Sequence, residues 1–276
     1  GLESYQFMHE ALPEINLEDV KLHLNLFGKY LSSPILISSM TGGAPETEII
    51  NIRLAQAAQE KKIALGVGSQ RAALEFPTLS KSFDIRKYAP DILLFANLGA
   101  IQLNNGLKTD DCKRAIDMVE ADGLILHLNP LQETLQSEGD TNFRGLIDNI
   151  EKVCKSIAVP VIAKEVGWGI SERTASMLLN SGISAIDVAG AGGTSWSQVE
   201  MFDAESKYFR RLAFSFKRWG IPTAKSILNV KKATPSLPIF ASGGLKNGID
   251  MAKCIALGAC LTGAAGIFLK VATIST

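Results

Sequence analysis

With 276 residues, 46% of them hydrophobic and 24 of them glycine, the chain has material for a large core and many tight turns, which excludes a chiefly disordered or fibrous protein. Lysine plus arginine and aspartate plus glutamate both number 28, so no overall field favours nucleic acid or an anionic membrane, and any anionic ligand must be met locally. The four cysteines, Cys112, Cys154, Cys254 and Cys260, lack metal-finger spacing and read as reduced core residues of a cytoplasmic protein.

Residues 1–30 precede the first strand pattern and are expected to close the bottom of a barrel or wrap its side. Short apolar runs then alternate with amphipathic stretches. "SPILISS" (33–39) leads to the helical pattern "ETEIINIRLAQAAQEKK" (46–62), and "IALGVGS" (63–69) and "DILLFANLG" (91–99) lead to "TDDCKRAIDMVEA" (109–121). "GLILHLN" (123–129) precedes "NFRGLIDNIEKVCKSI" (142–157), and "VPVIAKEVG" (159–167) precedes "SERTASMLLNSG" (171–182). "AIDVAGAGG" (185–193) opens a long connection whose part 199–230 mixes aromatic and basic residues and is placed as an extra loop or helix over the mouth, either a lid or a solvated helix with a few apolar anchors. "LPIFASGG" (237–244), the helix "NGIDMAKCIALG" (247–258) and "ACLTGAAG" (259–266) complete the series.

Eight such runs, apolar on both faces, predict an α/β chain forming a single (β/α)₈ TIM barrel over residues 1–276, with an open doubly wound sheet as the alternative. The stretch from Cys254 to Leu269 is too short for a membrane span and holds three glycines, so it reads as a helix end followed by a buried strand. No secretory leader pattern opens the sequence.

In such a barrel the chemistry lies at the C-terminal ends of the strands, and these exits are polar and glycine-rich. "ASGGLKNGID" and "GAAGIF" leave the last two strands, where backbone N–H groups at Gly243, Gly244 and their neighbours suit a phosphate. Lys164, ending "VIAK", should point into the mouth, where a desolvated ammonium needs an anion. It is read as facing a ligand or reduced cofactor, or as the Schiff-base lysine of an aldolase-like enzyme. A salt bridge to Glu165 is disfavoured because adjacent strand residues face opposite ways.

Period-2 alternation puts His127 and Asn129 on one side of the fourth strand, and Pro130 should end that strand and leave Gln132 and Glu133 on the loop above. Glu133 could hold Mg²⁺ with ligand phosphates in most other positions. Ser69, Gln70 and Arg71 leave the second strand together, Arg71 offering a planar fork for phosphate. "GAGGTSW" lacks dinucleotide spacing, and Thr194 there could donate to an anion.

Together "SSMTGG", "VGSQRAAL", "ANLGA", "HLNPLQE", "AKEVGWGIS", "DVAGAGGTSW", "WGIPTA" and "ASGGLKNGIDMAK" resemble the type 2, FMN-dependent isopentenyl diphosphate isomerases over nearly the whole chain. The resemblance implies a (β/α)₈ barrel that uses FMN, Mg²⁺ and NADPH to interconvert isopentenyl and dimethylallyl diphosphate, with reduced flavin doing the acid–base work. It implies that Met40, Thr41, Gly42, Ser69, Asn97, Lys164 and Thr194 contact the flavin, and that Gly244, Leu245, Lys246, Ala265 and Gly266 hold its phosphate. Ser69, Gln70, Arg71, His127, Asn129 and Gln132 would surround the substrate, Glu133 would bind Mg²⁺, and Lys164, His127 and Gln132 would be the catalytic set.

The family's N-terminal Arg-Lys-x-x-His arm has no counterpart after Gly1, and "LKVATIST" ends the chain soon after the last strand. The chain is therefore expected to be part of a longer protein with flexible N- and C-terminal parts. A homo-oligomer is also expected. The rivals are an FMN-dependent 2-hydroxy acid oxidase or dehydrogenase, a flavin-free aldolase using Lys164, and a non-enzymatic scaffold barrel. The first needs a His-Arg pair, yet the only histidines are His9, His23 and His127.

Overall fold

The structure, a computed structural model, describes residues 1–136, 138–194 and 207–275. After two short 3₁₀ turns, strands β1 (Leu24–Leu26) and β2 (Lys29–Leu31) form an antiparallel hairpin. The remaining strands are β3 (Ile35–Ile37), β4 (Ala64–Gly66), β5 (Leu94–Gly99), β6 (Gly123–Leu128), β7 (Val161–Glu165), β8 (Ala185–Asp187), β9 (Ile239–Ala241) and β10 (Leu261–Ala264). They close in sequence order, β10 pairing with both β9 and β3, and every pairing is parallel. The expected eight-stranded barrel is the observed one, and the open sheet is excluded by its closure.

Side chains alternate along each strand, and the two faces meet different cores. Ile37, Leu65, Leu94, Leu124, Val161, Ile186 and Ile239 face outward into the layer shared with the helices. The inward residues Leu36, Ala64, Phe95, Ile125, Ile162, Ala185, Phe240 and Leu261 meet in a separate cluster. Leu26 and Leu31 join that second cluster with Phe27 packed against it, so the hairpin plugs the barrel's bottom. Leu2 and Tyr5 pack instead on the outer layer, and Lys253 Nζ donates to Leu2 O at 3.0 Å. The N-terminal residues thus do both things the sequence allowed.

Helices Thr47–Lys61, Thr109–Val119, Leu146–Ser156, Glu172–Asn180 and Gly248–Ala256 lie within the expected stretches. Two are fixed by side-chain caps: Ser171 Oγ accepts from Thr174 N at 3.1 Å, and Asn247 Oδ1 accepts from Asp250 N at 3.0 Å. "HLNPLQE" departs from expectation. Pro130 ends β6 but also occupies the first turn of a helix, Pro130–Leu135, so Gln132 and Glu133 are helical rather than in a loop. Proline's fixed φ and missing N–H suit that first turn.

Of the long connection expected as an extra loop or helix over the mouth, residues 199–206 lie outside the described residues, as do Ser195 and Trp196. The described remainder forms helix Lys207–Ser215, beside Pro130–Leu135, and helix Thr223–Ala233. Cys254–Leu269 divides into a helix end, β10 and the start of helix Gly266–Ala272. No helix among the described residues is long and apolar enough to cross a membrane. All four cysteines are free, and burial pushes the Cys112 and Cys254 thiols up to about 12.

Candidate active site

Two residues above the apolar layer, every strand changes character. Leu36 is followed on the inward face by Ser38, Ala64 by Gly66, Phe95 by Asn97, Ile125 by His127, Ile162 by Lys164, Ala185 by Asp187, Phe240 by Ser242 and Leu261 by Gly263. The barrel therefore has an oily floor and a polar mouth, separated by one side-chain step.

The mouth holds a groove with two lobes that share Ser39, Lys164 and Val166. Met40, Gly42, Ser69, Asn97, His127 and Gln132 line the first, of about 230 Å³. Thr194, Gly244, Leu245, Lys246, Ala265 and Gly266 line the second, of about 290 Å³. Together they lie in the size range of small-molecule sites, roughly 300–1,000 Å³.

Lys164 is only 8% exposed, and its Nζ donates to the backbone O of Glu165 at 2.7 Å. The Glu165 carboxylate is turned the other way and accepts the backbone N–H groups of Val166 and Gly167, each at 2.7 Å, and of Trp168. Among the described residues, Lys164 is thus held at the junction of the lobes without a salt bridge. Burial raises the Glu165 pKa to about 7 against the pull of those N–H donors and of Lys164. A raised carboxyl contributes stability below its unfolded value that is lost as pH rises through the folded one. Glu165→Gln should therefore gain on the parent by up to about 3 kcal/mol between pH 4.5 and pH 8 in urea titrations. A gap that stays constant with pH would contradict this.

Asn97 Nδ2 donates to Val67 O at 3.1 Å, which leaves its Oδ1 to accept from His127 Nδ1 at 2.8 Å. That fixes the His127 tautomer with the proton on Nδ1. Burial, and then the Lys164 charge, lower the His127 pKa to about 4. The imidazole is neutral at pH 7 and presents a lone pair at Nε2.

The second lobe has a backbone lining. Among the described residues, the N–H groups of Gly193, Gly244, Leu245, Ala265 and Gly266 have no protein acceptor, whereas Lys246 N donates to Asp250 Oδ2 at 3.0 Å. Gly243 has a φ of +102°, and a Cβ there would lie 2.1 Å from Gly190 O. Its glycine is required by the contact between two loops as well as by the space above. Ser38 Oγ, Ser39 Oγ and Asp187 Oδ2 are buried without a hydrogen-bond partner.

Other expected residues sit elsewhere. Gln70 is fully buried: Nε2 donates to Ala115 O at 2.8 Å and Oε1 accepts Asn97 N at 2.9 Å. It pegs the β4 exit to β5 and helix Thr109–Val119, which corrects its placement around a ligand. Gln70→Ala should destabilise the chain by about 1–3 kcal/mol in urea and leave KM unchanged; a raised KM at full stability would return it to the site. Thr41 Oγ1 bonds to Asn51 Oδ1 rather than lining the groove. Arg71, half exposed, lies 3.1 Å from Glu75 and 3.6 Å from Asp140.

Asn129 donates to Glu133 Oε1 at 2.8 Å, and Asp140 N donates to Glu133 Oε2, also at 2.8 Å. Glu133 is 8% exposed with both oxygens engaged, and no group of three His, Cys, Asp or Glu side chains among the described residues is arranged for a metal. A Mg²⁺ ion at Glu133 would have to use the lone pairs that these two N–H bonds leave, with ligand phosphates in most other positions. Sequence reasoning passed over Asp187 and Ser242; their signal was the inward step from apolar to polar along each strand.

Residues 110–273 match the family described as FMN-dependent dehydrogenase. The isopentenyl-diphosphate delta-isomerase of Nostoc sp. is 56% identical over 272 residues, 99% of this chain and 78% of that protein. The chain belongs to the isopentenyl-diphosphate delta-isomerase family. Isomerases of the same name from Synechococcus sp. and Rickettsia bellii are 52% and 50% identical, over 99% and 100% of this chain and 78% and 80% of theirs. Their likeness favours the isomerase reading over the 2-hydroxy acid one. The groove fits FMN by its own geometry: unpartnered N–H groups suit a phosphate, and the orphaned hydroxyls of Ser38 and Ser39 offer donors at the groove's base.

Proposed function

We propose that this chain interconverts isopentenyl and dimethylallyl diphosphate, using FMN held reduced at the expense of NADPH. The observation that carries this is the position of Lys164, a buried ammonium at the junction of a polar lobe and a lobe lined by free backbone N–H groups, in a chain of this family.

Moving the double bond places a proton on one carbon and takes one from another. Reduced FMN, when bound, supplies the acid–base group that an unactivated alkene requires. Gly244, Leu245, Ala265 and Gly266 would hold its phosphate, and Met40, Gly42, Ser69, Asn97 and Thr194 its ring and side chain. Lys164, only 8% exposed, would supply a fixed positive charge that stabilises negative charge on the bound ring. His127, neutral and clamped by Asn97, and Gln132 border the space where the prenyl group would lie. Arg71 would meet the diphosphate after leaving Asp140 and Glu75, and anchoring that remote group positions the alkene. No step is routed through a metal.

Self-association is part of the reading, supported by Phe7, Met8, Leu12 and Leu17, which are 55–88% exposed on the N-terminal segment. The four free cysteines support a reducing, cytoplasmic setting.

Proton NMR of isopentenyl diphosphate incubated anaerobically with the protein, FMN, Mg²⁺ and NADPH tests the activity. Dimethylallyl diphosphate should form, and only when FMN is present. A yellow protein that leaves the substrate unchanged would reject the isomerase reading while keeping the flavin barrel, and 2-hydroxy acids would then be screened.

A further inference from the structure

Glu165 follows Lys164 on β7 yet faces away from the groove, since adjacent strand residues point to opposite sides of a sheet. It is 6% exposed. One carboxylate oxygen, Oε2, accepts the N–H groups of Val166 and Gly167, each at 2.7 Å, and of Trp168. The residues so gathered belong to the site, because Val166 borders both lobes and Gly167 the second. A φ of +135° at Gly167 lets the chain turn that tightly.

One peptide unit links this carboxylate to the groove. Between Glu165 and Val166, the N–H goes to Glu165 Oε2 and the C=O accepts Lys164 Nζ, each at 2.7 Å. A peptide unit is planar, and in its trans form the N–H and C=O point opposite ways. Any rotation of the plane that frees the N–H therefore also swings the C=O away from the ammonium. Carboxylate, peptide and ammonium form a chain in which each hydrogen bond polarises the next, and the field of Lys164 opposes the burial that raises the Glu165 pKa.

We propose that Glu165 is a positioning residue of this site: its carboxylate fixes the peptide plane that holds Lys164 Nζ at the junction of the lobes. A buried carboxylate is a costly way to cap a turn, and a turn cap alone would leave Lys164 indifferent to it. The inference rests on the reading of Lys164 as the fixed charge beside reduced FMN, and its first test needs no flavin.

The flavin-free protein is treated with limiting ¹³C-formaldehyde and a borane reductant at pH 8, above the Glu165 pKa of about 7, and methylation of each lysine is read by mass spectrometry. Lys164 should be labelled about fivefold faster in Glu165→Gln and in Glu165→Asp than in the parent, while Lys81 and Lys253 keep their rates. Gln keeps the length and loses the charge; Asp keeps the charge and is too short to reach all three N–H groups. Labelling within about twofold of the parent in both variants overturns the inference, and a rise with Gln alone assigns the effect to lost charge and overturns the positioning role. Hydrogen exchange of the parent is a check that needs no variant: the Val166, Gly167 and Trp168 amides should exchange as slowly as those of β7, and exchange at the rate of an open loop overturns the grip. With FMN and isopentenyl diphosphate, Glu165→Gln should slow a single turnover on the order of tenfold, and by less than about twofold in a Lys164→Met background. Equal losses in both backgrounds overturn the route through Lys164. A parent that labels as expected but does not turn over would reject the isomerase reading and leave the grip on Lys164 standing.

Discussion

Lys164→Met is expected to slow isomerisation by about 10²–10³-fold while the protein still binds FMN and remains yellow. The magnitude is that of removing one preorganised electrostatic partner from a largely dry site, and retention follows from the phosphate lobe, whose N–H groups lie on other strands' exits. Lys164→Arg should not restore the rate, because a planar guanidinium cannot replace a compact ammonium where Nζ already sits 2.7 Å from Glu165 O. Single-turnover NMR with saturating FMN separates this from weakened cofactor binding. A rate within threefold of the parent would remove Lys164 from the chemistry.

Phe240→Ala is expected to destabilise the chain by about 3–5 kcal/mol, the range for emptying a fully buried aromatic site. Phe240 has no exposed surface, and its ring centroid lies 6.1 Å from that of Phe95 and 6.4 Å from that of Phe27. The substitution would open a void where the interior of the strands meets the hairpin plug, and neither the closed barrel nor the hairpin can easily collapse into it. Urea titration should show a lower midpoint with an unchanged slope. A loss under about 1 kcal/mol would mean that the floor repacks.

All eight barrel strands were legible in the sequence because each is a compact apolar run bounded by turn residues. Their upper ends were drawn too long. "AIDVAGAGG" reads as one run, but β8 stops at Asp187: Val188 N and Gly190 N still donate to Phe240 O and Ser242 O, and Ala191 then bridges to Pro222 at the start of helix Thr223–Ala233. The N-terminal hairpin could not be told from a side wrap, since Leu26 and Leu31 acquire a partner only when eight distant strands close. Helix Pro130–Leu135 was hidden because proline marks both a strand's end and a helix's first turn.

Of the site, the glycine-lined lobe and Lys164 were evident as residue types at strand exits. The surroundings of Gln70 and Glu133 were hidden for one reason. A polar side chain near an exit looks free in sequence, and only tertiary contacts show that Gln70 is bound to Ala115 and Asn97, and Glu133 to Asn129 and Asp140. Asp187 and Ser242 were missed because attention to the glycine-rich exits of β8 and β9 skipped the last inward residue of the one and the residue just beyond the other.

The seam between β10 and β3 has a bearing on how the chain acquires its shape. Ala264 pairs with Ile37, so the ring closes through two segments near opposite ends of the sequence, and such non-local pairing is slow to form. On a ribosome the hairpin carrying Leu26, Phe27 and Leu31 emerges long before β10 does. Until that last staple is in place the oily floor stands open to water, so the interval between the first strand's synthesis and the seam's closure is when this molecule is most exposed to aggregation.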